Sequence, residues 1–157
     1  MGAFVVRRQA EADVVRVWQV LTDFAGYHRW IPLTVMQVDP GSPAVGWSFA
    51  GLTGLGRVRF CDPMTLQEWS PPTPQGPGQF ELRKHGRLLA GWARVRVAPG
   101  PRSGTSSIEW TEEIVVRPER LGRLLARVTD PVNRRLFARA LGLMIAEAER
   151  PVADAGS

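Results

Sequence analysis

Between positions 33 and 116 the apolar residues of this chain alternate in short segments, and after Pro118 they recur every three or four residues up to about Glu149. Alternation sets successive side chains on opposite faces of a strand, whereas the longer period lines one side of a helix. Six alternating segments are present: Leu33 to Val38, Val45 to Gly51, a long and bent stretch from Arg57 to Trp69, Gln79 to Lys84, Leu88 to Val97, and Thr105 to Val116. Turn chemistry separates them. Asp39-Pro40-Gly41-Ser42-Pro43, the four prolines between Ser70 and Gly78, and Pro99 to Gly104 combine fixed and permissive φ, while His85-Gly86 suits a tight hairpin. The pattern predicts a meander of antiparallel strands. The helical stripe comprises Leu121, Leu124, Leu125, Val128, Val132, Leu136, Phe137, Ala140, Leu141 and Met144. Pro131 falls within it and removes one backbone hydrogen bond, which predicts a kink or two helices meeting end to end.

Ahead of the meander, Phe4, Val6 and Arg8 alternate with Ala3, Val5 and Arg7 as an opening strand. Val14, Val17, Trp18 and Leu21 then share one side of a short helix, with Asp13 as its N-cap. Phe24 to Pro32 holds a second helical turn, since Gly26 loosens it and Pro32 forces Ile31 toward extended geometry. The order is strand, two short helices, six strands and a long helix. Two stretches give this order a family likeness: Val17-Trp18-Gln19-Val20-Leu21-Thr22-Asp23 followed by Trp30-Ile31-Pro32, and Gly104-Thr105-Ser106-Ser107-Ile108-Glu109-Trp110. They resemble the first helix with its following turn, and the last strand, of the START-related SRPBCC superfamily. The resemblance covers about Ala3 to Arg150 and is nearest to bacterial proteins labelled polyketide cyclase/dehydrase. It implies an α+β helix-grip fold, a curved antiparallel sheet of about seven strands wrapped around a long C-terminal helix. One domain over 1–150 and a flexible tail over 151–157 are expected. The quoted motifs are structural, so they carry the fold rather than the activity.

Composition narrows the remaining classes. The 157 residues are 44% apolar and 22% charged, ordinary for a globular domain. A lone cysteine, Cys61, permits no internal disulfide and is expected to pack, and His28 and His85 are too few to suggest a metal module. No metal and no cofactor is expected. Net charge is +5, yet every basic residue except Lys84 is arginine, a skew typical of a GC-rich genome. Arg120, Arg123, Arg127 and Arg134 fall on one side of the long helix and could attract phosphates or anionic lipid headgroups. Without interleaved aromatics a solvated helix side is preferred, and no nucleic-acid partner is expected. No run of about 18 apolar residues exists, and Ala3-Phe4-Val5-Val6 is too short for a signal-peptide core, so a cytoplasmic monomer or homodimer without membrane integration is expected. Gly51-Leu52-Thr53-Gly54-Leu55-Gly56 has no nucleotide-loop spacing and is expected to be a β-turn.

A sheet closed around the long helix leaves room for a cavity, and alternation decides which side chains line it. The inward sets are Trp47 with Phe49, Val58 with Phe60, Phe80 with Leu82, Ala93 with Val95, and Ile108 with Trp110, joined from the helix by Phe137, Leu141 and Met144. Two polar residues continue these faces: Glu112, two beyond Trp110, and Lys84, two beyond Leu82. Glu112 in an apolar cavity would act as general acid or base, against the alternative of an arginine-paired or surface carboxylate. Lys84 could hold an acidic ligand group or form a Schiff base, but its place beside the turn favours a solvated lysine. Tyr27, with His28 and Trp30, could assist proton transfer, or Tyr27 and Trp30 pack and His28 lies exposed. No dense polar constellation is expected on the inner faces. Binding of a small hydrophobic molecule such as a lipid, isoprenoid or polyketide-like aromatic is therefore expected ahead of the alternative that the resemblance implies. That alternative is a cyclase, aromatase or dehydratase using Glu112 and Tyr27.

Overall fold

The computed structural model of the protein describes residues 3–151; for Glu119 and 121–130 it describes the course of the backbone but not the side chains. Strand β1 (Phe4–Ala10) leads to helix α1 (Val14–Leu21) and a 3₁₀ turn over Phe24–Arg29. Six strands follow: β2 (Thr34–Val38), β3 (Ser48–Leu55), β4 (Val58–Ser70), β5 (Gly78–His85), β6 (Leu89–Pro99) and β7 (Ser106–Val116). Helix α2 (Glu119–Ala148) then closes the described chain. All neighbours pair antiparallel in the order β1-β7-β6-β5-β4-β3-β2, so the first strand returns beside the last. This is the helix-grip arrangement the element order implies.

Local chemistry sets the two helical entries. Asp13 caps α1 by accepting from the Arg16 amide at 2.9 Å, and the helix buries Val14, Val17, Trp18, Val20 and Leu21. Asp23 accepts from the Gly26 amide and so caps the 3₁₀ turn, while Arg29 reaches Asp23 at 2.6 Å and Glu147 of α2 at 3.2 Å. That bridge ties the turn to the last part of the long helix. Phe24 enters the interior among Tyr27, Trp47, Phe49, Trp69 and Phe80, and its ring stacks 4.5 Å from that of Phe49. Each such side chain contributes roughly 1.5–3 kcal/mol through burial. This cluster fills the α1 end of the interior.

Several expectations are corrected by this packing. Helix α2 runs continuously through Pro131 and is not split into two helices. Its described part buries Ala140, Leu141, Met144, Ile145 and Ala148, but Val132 and Leu136 are exposed, because the apolar arc is wider than the strip covered by the sheet and α1. Arg120 and Arg134 are exposed; the side chains of Arg123 and Arg127, and those of Leu121, Leu124, Leu125 and Val128, lie outside the described residues, as does 152–157 of the tail. The glycine-rich segment is strand through Leu55, and only Gly56 and Arg57 turn. Cys61 is exposed rather than packed, since the alternation that brings Phe60 and Asp62 inward sends residue 61 to the outer face. Val58 ends the same hairpin and is 82% exposed, so it cannot line a cavity. The bend expected in β4 is a bulge between Leu66 and Glu68, where pairing with β5 slips by one residue. Beyond it inward packing passes from Leu66 to Trp69.

Gly91 of β6 has φ +130°, and a Cβ there would lie 1.9 Å from the Glu113 carbonyl oxygen. Neither the dihedral nor the approach admits a side chain. Gly91→Ala is expected to cost roughly 2–4 kcal/mol of stability. Urea denaturation checks this, and a cost below ~0.5 kcal/mol, the range of an ordinary surface change, would contradict it.

Candidate functional site

Register explains how two charges meet in the interior. Leu82 of β5, Ala93 of β6 and Glu112 of β7 form one rung, and Lys84, Gly91 and Ile114 form the next on the same face. Lys84 and Glu112 therefore start two strand spacings apart, about 10 Å. Only alanine and glycine stand between them on β6, so the two long side chains extend over these small residues. Glu112 Oε1 lies 3.0 Å from Lys84 Nζ. Lys84 also donates to Asp62 Oδ2 at 3.2 Å, and Trp110 Nε1 donates to Glu112 Oε2 at 3.0 Å. Glu112 is 1% exposed and Lys84 8%. The solvated lysine and the absence of a polar constellation are both corrected: β5 continues to His85, and the period that buries Phe80 and Leu82 carries Lys84 inward too.

The electrostatics follow from burial and proximity. Burial opposes the charge on Lys84, but the Glu112 and Asp62 carboxylates outweigh it, and the ammonium pKa is raised above that of ordinary lysine. A Schiff base requires the free amine, so this setting disfavours it. Burial raises the pKa of Glu112; the Lys84 charge and the Trp110 hydrogen bond pull it down, and burial prevails. Tyr27 is raised by burial, then by the charges of Glu112 and Asp23. Its hydroxyl donates to the Leu21 carbonyl at 2.6 Å, a structural bond that commits the phenolic proton. His28 is exposed, while Trp30 is buried beside Tyr27.

These charges border a cavity of about 200 Å³ between the sheet and α2. Of the residues anticipated from the sequence, Phe60, Leu82, Ala93, Trp110, Phe137, Lys84, Glu112 and Tyr27 line it. Phe49, Phe80, Val95, Leu141 and Met144 are instead buried in the packed core, and Trp47 is half-buried against Phe24 and Phe49. Four polar lining groups escaped the sequence, Asp62, Thr34, Thr53 and Asn133, as did apolar ones such as Met36, Met64 and Ile114. Asp62 was within reach, since Phe60, Asp62, Met64 and Leu66 continue one alternation up to the bulge. The two threonines hydrogen-bond each other at 2.7 Å across β2 and β3. A second, outer groove of about 470 Å³ runs between Trp30–Pro32 and Leu136, Ala140 and Leu143 of α2, and it shares Ile31, Thr53 and Phe137 with the inner cavity.

A curved antiparallel sheet gripping a long helix, with an apolar chamber between them, defines a helix-grip domain of the SRPBCC superfamily. The chain belongs to the polyketide cyclase / dehydrase and lipid transport family, which it matches over residues 1–149. The fold is shared with solved structures of low identity. Zhui aromatase/cyclase from a Streptomyces species is 15% identical with TM-score 0.68, over 99% of this chain and 98% of that one. Norcoclaurine synthase from Thalictrum flavum is 13% identical with TM-score 0.62, over 95% and 96% of the two chains. A hypothetical protein from Helicobacter pylori is 12% identical with TM-score 0.74, over 94% and 88%. No curated protein matches the sequence. Among the described residues no helix is long and apolar enough to cross a membrane.

The raised pKa of Glu112 has a definite sign in stability. A folded pKa above the unfolded value gives stability that is fully present below the unfolded pKa and is lost as pH rises through the folded one. Lys84 stays protonated in both states across that window, because its shift acts only above the ordinary lysine value. The stability of the wild type relative to Glu112→Gln is thus expected to fall as the pH rises above the ordinary carboxylate range and through the raised folded-state pKa. Urea denaturation at a series of pH values measures the difference, and a constant difference would contradict the raised pKa.

Proposed function

We propose that this domain binds a small, mainly apolar molecule in the cavity between the sheet and α2, with the molecule's polar end against Lys84 and Glu112. The observation that carries this is an apolar chamber of about 200 Å³ with a buried charged group in its wall. Ligand sites combine mostly apolar lining with a few placed polar groups. A volume somewhat above the ~150 Å³ that accommodates a benzene ring suits a body of about one ring with substituents. The adjoining outer groove offers apolar contact for a longer ligand. The family's name, which covers both polyketide cyclases and lipid transport, supports such a role.

A second role, proton transfer on a carbonyl compound, is favoured by one observation. Glu112 is buried, carries a raised pKa, and keeps Oε1 beside the Lys84 ammonium. A carboxylate whose pKa is raised is a stronger base and can take a proton from carbon adjacent to a carbonyl, and the ammonium can stabilise the enolate formed. Aldol closure followed by water loss, the chemistry of a cyclase or dehydratase, begins with that step. Tyr27 would position the ligand by packing rather than move protons, since its hydroxyl is bonded to Leu21.

Two measurements test these roles. Native mass spectrometry of the protein from its own host is expected to show an adduct released on denaturation, and the Ala93→Leu variant, whose added atoms enter the chamber, should carry none. A bare wild type that also fails to bind toluene in an NMR titration would remove the binding role. For proton transfer, exchange of the α-protons of 1-phenylbutane-1,3-dione in deuterium oxide should be accelerated by the wild type. Glu112→Gln should slow it about 10²–10⁴-fold, and equal rates in the two proteins would remove Glu112 as the base.

A further inference from the structure

The charge count of the buried cluster constrains which ligands suit it. One ammonium, Lys84, faces two carboxylates, Glu112 and Asp62. Lys84 is already divided between them. Two carboxylate oxygens of the cluster, Glu112 Oε1 and Asp62 Oδ1, are buried and accept no aligned hydrogen bond. Glu112 Oε1 meets no donor besides the shared Lys84 ammonium at 3.0 Å, and Asp62 Oδ1 meets none at all. Buried acceptors without donors are costly, and an incoming donor recovers that cost.

Among the described residues, the other polar groups of the chamber do not supply one. Trp110 Nε1 serves Glu112 Oε2, the Tyr27 hydroxyl serves the Leu21 carbonyl, and Thr34 and Thr53 bond each other. Asn133 borders the cavity from α2 and makes no hydrogen bond to the cluster. The cluster is therefore richer in acceptors and negative charge than in donors.

We infer that the cavity selects a ligand whose polar end donates hydrogen bonds, an amine or a hydroxyl on a small apolar body, and turns away carboxylates and phosphates. An ammonium compensates the second carboxylate, and a hydroxyl bonds to Glu112 Oε1. Among the described residues, an anionic end finds one lining cation, Lys84, already shared between two carboxylates, and adds another negative charge to a dry site. This counts against the option that Lys84 holds an acidic ligand group. The selectivity rests on the binding role proposed above and goes beyond it by fixing the chemistry of the ligand's polar end.

The test compares four probes of one carbon skeleton by NMR titration at neutral pH: toluene, benzyl alcohol, benzylamine and benzoate. Toluene is expected to bind, benzylamine and benzyl alcohol to bind about tenfold tighter, and benzoate about tenfold weaker than toluene. Glu112→Gln removes one acceptor charge and is expected to bring benzylamine and benzoate within about threefold of each other. Asp62→Asn provides the same comparison should Glu112→Gln fail to fold. Benzoate binding as tightly as benzylamine to the wild type, with toluene bound, would overturn the selectivity and leave the binding role standing. No binding of any of the four would overturn both.

Discussion

An ammonium and two carboxylates share an interior that water scarcely reaches, and much of this structure is arranged to make that tolerable. Burying an ion costs several kcal/mol, and the attraction between partners offsets it only at close range. Lys84 and Glu112 come from strands two apart, so closeness depends on what lies between. Ala93 and Gly91 of β6 are the residues that leave the line open. Removing Lys84 strands two carboxylates, at a cost of roughly 3–5 kcal/mol, whereas removing Glu112 leaves Lys84 paired with Asp62. The small residues of β6 are thus as much a part of the site as the ionised groups.

The interior divides into two regions of different character. Under α1, Phe24 gathers Trp47, Phe49, Trp69 and Phe80 into a packed aromatic block. Beneath Phe137 and Asn133 of α2, the lining becomes thinner and partly polar, and a chamber remains. The 3₁₀ turn stands at the junction. Phe24 and Tyr27 point into the packed region, while Arg29 ties the turn to Asp23 and to Glu147 on α2. Phe137 reaches Phe4 and Trp110, each 5.8 Å between ring centres, and so joins the long helix to both strands at the chamber's rear.

Much of this was legible in the residues because the period of apolar side chains changes twice and turn chemistry separates the strands. The inward direction of Glu112 followed from Trp110, and that of Phe60 from its neighbours. Lys84 defeated the same logic only because its proximity to His85-Gly86 argued for water. The pairing of Lys84 with Asp62 depends on register, which no single strand encodes: Met64 opposes Lys84, and Asp62 lies one inward position away. Val58 and Leu136 were misplaced for a different reason. Alternation and helical period specify a face but not how far along the element the opposing layer extends, and both residues lie beyond that cover.

Lys84 is also the only lysine in the chain. Arginine carries every other fixed positive side chain, so the outer surface of the described residues presents no lysine amine at all. An acylating reagent can modify a lysine side chain of this protein only where the chamber opens and the carboxylates release their ammonium. The rate of labelling at that single amine is therefore a clock for the breathing of the interior, readable without attaching any probe and silenced by whatever occupies the chamber.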